Sequence, residues 1–232
     1  TDVGSAKKNT IKKINKTKCL LQINGTSLIE KIIKDIKSIS KEKIHIVVGF
    51  KSNLIKKNLK KYQRLHFIDN KDYKKKEMLH SLILALQGIN DDIIFSYTDI
   101  IYNKTVIKNL LHQKKNIHLP ILKNWKRVWK KRKKSFLVDG ESLQINSKNF
   151  LTKIGGKIKK NSNIKYQYMG IFMIPKSEKK NLIRLYKSLN NSKLHITNFF
   201  NILLKEETKI KCIKYSGNWY EFDDWRDYKN YF

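Results

Sequence analysis

Between residues 27 and 115 the apolar residues switch repeatedly between the three-and-four spacing of a helix and the short unbroken runs of a buried strand. Ser27 can cap a helix on which Leu28, Ile29, Ile32, Ile33, Ile36 and Ile39 share a face, with Glu30 at the third helical position. Ile44–Val48 reads as a buried strand ending at Gly49, and Ser52 opens a second helix through Leu54, Ile55 and Leu59. Residues 65–68 make another strand, ending at Asp69 and Asn70, and Met78, Leu79, Leu82, Ile83 and Leu86 make the next helix. Such alternation implies parallel strands joined by right-handed crossovers, so this half is expected to be a doubly wound parallel sheet.

The next strand carries the first candidate for chemistry. In residues 91–103, DDIIFSYTDIIYN, the run Ile93, Ile94, Phe95 and Tyr97 is followed by Asp99, where a buried strand is expected to end. Ligands of open α/β sheets bind outside the carboxyl ends of the strands, so an acid there meets substrate without burial in the core. We expect a central parallel strand presenting Asp99; the alternative is that Asp99 opens the next turn or caps the helix over 103–113.

Beyond residue 115 the pattern changes. Residues 118–122 read as a strand, a basic block KNWKRVWKKRKK follows at 123–134, and short β segments are expected at 136–138, 143–146 and 150–154. Residues 166–174, YQYMGIFMI, read as one longer strand; helices over 178–189 and 196–204, a strand at Ile210–Tyr215, and a last short strand with a closing helix complete the chain. The sheet is therefore expected to be mixed, parallel at the front with antiparallel additions at the back.

The 232 residues suffice for a sizeable core, and two Pro, nine Gly and the lack of a Pro/Ser/Gly-rich linker favour one domain over 1–232. Cys19 and Cys212 lie far apart, which fits a reducing cytoplasm and gives no closely spaced metal-ligand pairs. No apolar run approaches a membrane span and no secretory leader is visible, so a cytoplasmic location is expected; the first residue is Thr, so sequence upstream of it is expected as well. The formal charge, 51 − 19 = +32, raises a polyanionic partner, but the lysines are spread over almost every segment and no nucleic-acid-binding motif accompanies them. Nothing in the sequence sets the oligomeric state, and a homo-oligomer is allowed.

Several short motifs now line up. Lys18, Leu20, Asn24, Gly25, Leu28 and Ile29 follow a Gly4-Ser5 loop; Asn70 and Tyr73 precede EMLHSLILA, which contains Ser81; Tyr97-Thr98-Asp99 follows. Then come VDGES with Asp139 and Glu141, Gln167-Tyr168-Met169-Gly170, and WYEFD with Glu221 and Asp223. In this order they resemble the nucleotidyltransferases of the nucleotide-diphospho-sugar transferase fold, and the later segments resemble the choline-phosphate and aminoethylphosphonate cytidylyltransferase branch. The resemblance covers nearly the whole chain and implies a nucleotide-binding half at 1–115 and an acceptor-binding half at 116–232. It implies a Rossmann-like doubly wound mixed sheet, with the first strand missing from the chain, and Mg2+ held by Asp99 and Asp223. It also implies Lys18 as the catalytic cation, Gly4, Ser5, Asn70 and Ser81 on the nucleotide, CTP as favoured triphosphate, and a small phosphorylated or phosphonate acceptor. Three departures stand out: the chain starts inside the phosphate loop, Ala6 replaces the family's Arg, and Thr17 replaces the Pro before the catalytic Lys.

Each assignment has a bland counterpart. Asp223 is followed by DWRDY and could be a helix cap. Lys18 could be one solvated lysine among many. Trp125 and Trp129, four residues apart on a helix, could grip a cationic acceptor with Tyr168, or pack against the sheet. Asp139 and Glu141 could answer an acceptor amine or serve the turn at Gly140. Competing functions are a sugar-1-phosphate nucleotidyltransferase, a basic nucleic-acid-binding module, and an inactive relative serving as a scaffold.

Overall fold

The computed structural model describes residues 17–159, 163–189 and 193–232, so the expectations placed on Gly4 and Ser5 lie outside the described residues. A single turn at Lys18–Leu20 buries Cys19 and Leu20 and leads into the hairpin of β1 (Gln22–Ile23) and β2 (Thr26–Ser27). Asn24 and Gly25 turn it with φ of 48° and 75°, the pair of left-handed conformations that suits the twist of two joined strands.

Ser27 ends β2 and caps α1 (Leu28–Lys37). Its side chain accepts from the Glu30 N–H, while its own N–H and hydroxyl donate to Glu30 Oε2 at 3.1 and 2.7 Å. The cap satisfies helix donors that would otherwise be orphaned, and it starts the helix with Leu28, Ile29 and Ile33 facing inward. β3 (Ile44–Val48) and β4 (Leu65–Asp69) pair in parallel, Ile44 opposite Leu65 through Val48 opposite Asp69, with α2 (Ser52–Leu59) between them. α3 (Met78–Gly88) buries Leu79, Leu82, Ile83 and Leu86 in the same core as Ile93 of β5 (Ile93–Ser96). β6 (Ile100–Tyr102) and α4 (Thr105–Leu111) follow.

β7 (Ile117–Leu122), buried at all six positions, is the spine of a five-stranded sheet. After it come α5 (Trp125–Arg132), α6 (Phe136–Asp139), the antiparallel pair β8 (Glu141–Ile145) and β9 (Leu151–Lys157), then β10 (Gln167–Tyr168) and β11 (Ile171–Ile174). α7 (Lys179–Ser188), α8 (Ile196–Lys205), β12 (Ile210–Tyr215), β13 (Trp219–Glu221) and α9 (Trp225–Tyr231) complete the order. β12 runs parallel to β7 on one edge; β10 and β11 run antiparallel to it on the other, and β11 continues to β5. The architecture is thus mixed α/β, as the alternation implies.

Three local expectations are corrected. Residues 136–138 are helical, because the Gly140 N–H bonds back to the Phe136 carbonyl at 2.9 Å and Phe136 packs edge-on against Trp125. The run 166–174 is broken at Gly170, whose φ of +74° bends the chain and whose missing Cβ would stand 2.9 Å from the Tyr97 ring. The strand before Asp99 is not flanked by parallel partners among the described residues: β5 bonds antiparallel to β11, and no ladder joins it to β3. Among the described residues, Ile44, Ile46, Ile93, Ile94 and Phe95 border a cleft between β3 and β5 that Lys18, Asp99 and Asp223 also border. No helix among the described residues is long and apolar enough to cross a membrane.

Glu30 makes the start of α1 sensitive to acid. Burial opposes its ionisation, but Lys61 at 2.8 Å, Ser27 and the Tyr62 hydroxyl outweigh that and hold the carboxyl at about 2, against 4.5 for an unperturbed Glu. A group depressed on folding contributes stability above its unfolded value and loses it as pH falls to the folded one. Glu30→Gln should therefore destabilise the protein at pH 7 by about 1–3 kcal/mol in urea titrations, with the gap from wild type closing between pH 4.5 and about 2. An equal gap at both ends of that range would show that the charge plays no part.

Candidate active site

The turn that carries Lys18 is pinned by Cys19 and Leu20, 0% and 4% exposed, which leaves the lysine side chain in the cleft. Its Nζ lies 3.4 Å from Asp99 Oδ2 and 3.5 Å from Asp223 Oδ1. Those two acids come from opposite ends of the sequence and are joined by backbone. β13 pairs antiparallel with β6, Glu221 opposite Ile100, and the Phe222 N–H donates to the Asp99 carbonyl at 2.9 Å. Register alone thus fixes Asp223 beside Asp99.

The cap alternatives are resolved by neighbouring residues. Asp224, not Asp223, is the N-cap of α9, accepting from the N–H groups of Arg226 and Asp227 in a reciprocal capping box. At α4 the Thr105 N–H is taken by Asn103 Oδ1. Asp99 and Asp223 are free of those duties and face the lysine.

Burial and the local charges shift all three groups. Burial pushes the Asp99 carboxyl up, with Lys18 pulling the other way. Burial would raise Asp223 too, but Lys18, Lys134 and Arg132 together hold it below the usual range. Lys18 is held above its ordinary value: burial disfavours its charge, and Asp99, Asp223 and Glu221 more than compensate. A single cation shared by two carboxylates on a cleft wall is an arrangement that can neutralise an anionic ligand and leave an acid pair for a hard cation. Among the described residues no group of three or more His, Cys, Asp or Glu is set for a metal. Two carboxylates are nonetheless what Mg2+ ordinarily takes from protein when phosphates and waters complete its shell.

Behind this pair lies a charge cluster that reading the sequence missed. Arg132, 0% exposed, meets Asp227, Asp139, Glu221 and Asp223, and Lys134 bonds Asp227 at 2.7 Å. The signal was present: Trp125, Val128, Trp129 and Arg132 fall on one helical face, and an arginine in line with three buried apolar residues demands buried acids.

The other candidates fall in two places. Asn70, 4% exposed, donates through Nδ2 to Ser81 Oγ at 3.0 Å, so these two meet near the ends of β3 and β4. On the opposite side Asp139 pairs with Arg132 at 2.8 Å, and Glu221 reaches the same guanidinium at 3.4 Å while burial drives its carboxyl well above the usual range. Glu141 is also raised by burial, against His195 and Thr197. Tyr168 stands edge-on to Tyr97, ring centroids 5.9 Å apart. Trp125 and Trp129 are 3% and 5% exposed; Trp125 packs edge-on to Trp129 and Phe136, and Trp129 stacks on Trp219 at 6.0 Å. Both indoles therefore build the core under the acid cluster.

The described residues take the nucleotide-diphospho-sugar transferase fold, and the comparisons that follow support a nucleotidyltransferase. Residues 12–125 match the family described as the MobA-like NTP transferase domain. The chain is 28% identical over 221 residues to the CTP:phosphoglutamine cytidylyltransferase of Campylobacter jejuni, covering 89% of this chain and 87% of that protein. Among solved structures, the inositol-1-phosphate CTP transferase of T. maritima superposes with a TM-score of 0.73 at 16% identity, over 94% of this chain and 85% of the other. The CTP:phosphocholine cytidylyltransferase of Streptococcus pneumoniae does so with a TM-score of 0.69 at 18% identity, over 94% and 89%.

Trp125→Leu should lower stability by about 1–3 kcal/mol in urea unfolding, because the lost ring contacts are core contacts. An unchanged midpoint would mean that the indole is not packed as described.

Proposed function

We propose that this chain is a Mg2+-dependent cytidylyltransferase that couples CTP to a small phosphorylated or phosphonate acceptor carrying an amine and releases pyrophosphate. The observation that carries the reading is Lys18 Nζ, held between Asp99 and Asp223 on the wall of the cleft. The cytidine preference draws on the relatives named for CTP, and the amine on the one named for phosphoglutamine.

In the reaction an acceptor phosphate oxygen forms a bond to the α-phosphorus of the triphosphate as the α–β bridging bond breaks, and the electron pair of that bond leaves with pyrophosphate. The attacking oxygen is already anionic, so no side chain needs to take a proton. Lys18 neutralises charge where it grows, on the α-phosphoryl oxygens. Asp99 and Asp223 would hold Mg2+, which when bound offsets phosphate charge and fixes the phosphates for in-line displacement. Asn70 and Ser81, already hydrogen-bonded to each other, would position the nucleotide. Glu141, Glu221 and Tyr168 give the acceptor side its polar wall; Asp139 contributes from behind, its charge engaged by Arg132. Trp125 and Trp129 support this wall by packing.

Pyrophosphate release from CTP, UTP, GTP and ATP, each with phosphoglutamine, phosphocholine, 2-aminoethylphosphonate, inositol 1-phosphate and hexose 1-phosphates, should be fastest for CTP with an amine-bearing acceptor. Turnover confined to hexose 1-phosphates would replace the acceptor class, and no turnover with any pair would overturn the reading. Asp99→Asn and Asp223→Asn should each reduce turnover at least 100-fold, roughly the scale of one lost transition-state contact, with the thermal midpoint preserved. Lys18→Ala should lower kcat far more than it raises KM for the triphosphate, as for a charge used most in the transition state. A Lys18→Ala enzyme impaired only in KM would assign the lysine to ground-state binding.

A further inference from the structure

We infer that Arg132 is the positioning residue of this site, fixing one oxygen of the Asp223 carboxylate and the head of Glu221 so that the other Asp223 oxygen faces the cleft. The inference rests on the reading of Asp223 as a ligand given above, and it concerns a residue that never reaches the cleft itself. Arg132 is 0% exposed, and its fork is fully divided. Nε and Nη2 donate to the two oxygens of Asp227 at 2.9 and 3.2 Å, Nη1 pairs with Asp139 at 2.8 Å and Glu221 at 3.4 Å, and Nη2 also reaches Asp223 Oδ2 at 3.5 Å.

Asp223 is thus held by opposite sides of its carboxylate, Oδ2 toward Arg132 and Oδ1 toward Lys18. Its backbone is fixed by the same anchor: Asp227 Oδ2 accepts from the N–H groups of Asp223 at 2.8 Å and Asp224 at 3.1 Å. Asp227 is itself 0% exposed and its carbonyl accepts from the Tyr220 hydroxyl at 2.9 Å, so the unit is tied to β13 as well as to α9. The Asn230 side-chain amide donates to the Arg132 carbonyl at 2.8 Å and closes the link between α5 and α9.

Only a planar fork can serve this geometry. A guanidinium presents five N–H groups in fixed directions, and the paired bonds to Asp227 set its plane, which in turn sets where Glu221 and Asp223 are met. A lysine would keep the charge and lose the directions.

The test uses Arg132→Lys and Asp227→Asn in the full chain. It measures thermal midpoint, kcat and KM for CTP, and Mn2+ binding by calorimetry with no substrate present. The expected result for Arg132→Lys is a folded protein whose kcat falls 10- to 100-fold, whose KM for CTP stays within about threefold, and whose Mn2+ affinity drops about tenfold. If Arg132→Lys does not fold, Asp227→Asn, which keeps the shape of the carboxylate, must show the same split. A folded variant with wild-type kcat and Mn2+ affinity overturns the inference. Failure of both variants to fold also overturns it, because the pair then does no more than hold the core. Wild-type protein that binds Mn2+ but turns over no triphosphate would sink the functional reading and leave the calorimetric comparison standing.

Discussion

One ammonium group shared by two distant carboxylates organises this molecule. Lys18 can sit between Asp99 and Asp223 only because β6 and β13 pair in a register that ends with the Phe222 N–H on the Asp99 carbonyl. The electrostatics explain why the arrangement has to be built so firmly. Burial raises Asp99 and Lys18 opposes that rise, whereas Lys18, Lys134 and Arg132 together hold Asp223 below its ordinary value against burial. The two acids therefore differ in how strongly their charged forms depend on a nearby cation.

Support for that centre is layered. Nearest is the carboxylate cluster around Arg132; beneath it the indoles of Trp129 and Trp219 stack, with Trp125 and Phe136 edge-on. A buried guanidinium is tolerable only with acids in place, and here four of them, Asp139, Glu221, Asp223 and Asp227, share that task. The opposite wall is built otherwise. Among the described residues β3 and β5 share no ladder, and Ile44, Ile46, Ile93 and Ile94 border the space between them.

Much of this was legible in the residues. The Ser27 cap with Glu30, the strand at Ile210–Tyr215 and the placement of Asp99 after a strand are local patterns, and local patterns survive folding. What failed to show was decided by contacts between distant segments. Gly170 breaks an apolar run that looks continuous because Tyr97, just beyond β5, occupies the place of its side chain. Residues 136–138 look β-prone, yet Phe136 finds Trp125 and the chain coils. Arg132 was hidden in a basic block of like residues, and its helical phase with the tryptophans was the one mark that set it apart. Asp223 and Asp224 are adjacent acids of the same type, and only the backbone at the start of α9 decides which of them caps it.

The most direct test of the central claim is a crystal structure with Mn2+ and a non-hydrolysable CTP analogue, located by the anomalous signal of the metal. The account predicts one anomalous peak coordinated by Asp99 and Asp223, with Lys18 Nζ moved from the carboxylates onto a phosphate oxygen and Arg132 unmoved. Nucleotide bound with its metal away from these two acids, or Lys18 still bridging them beside bound phosphates, would contradict it.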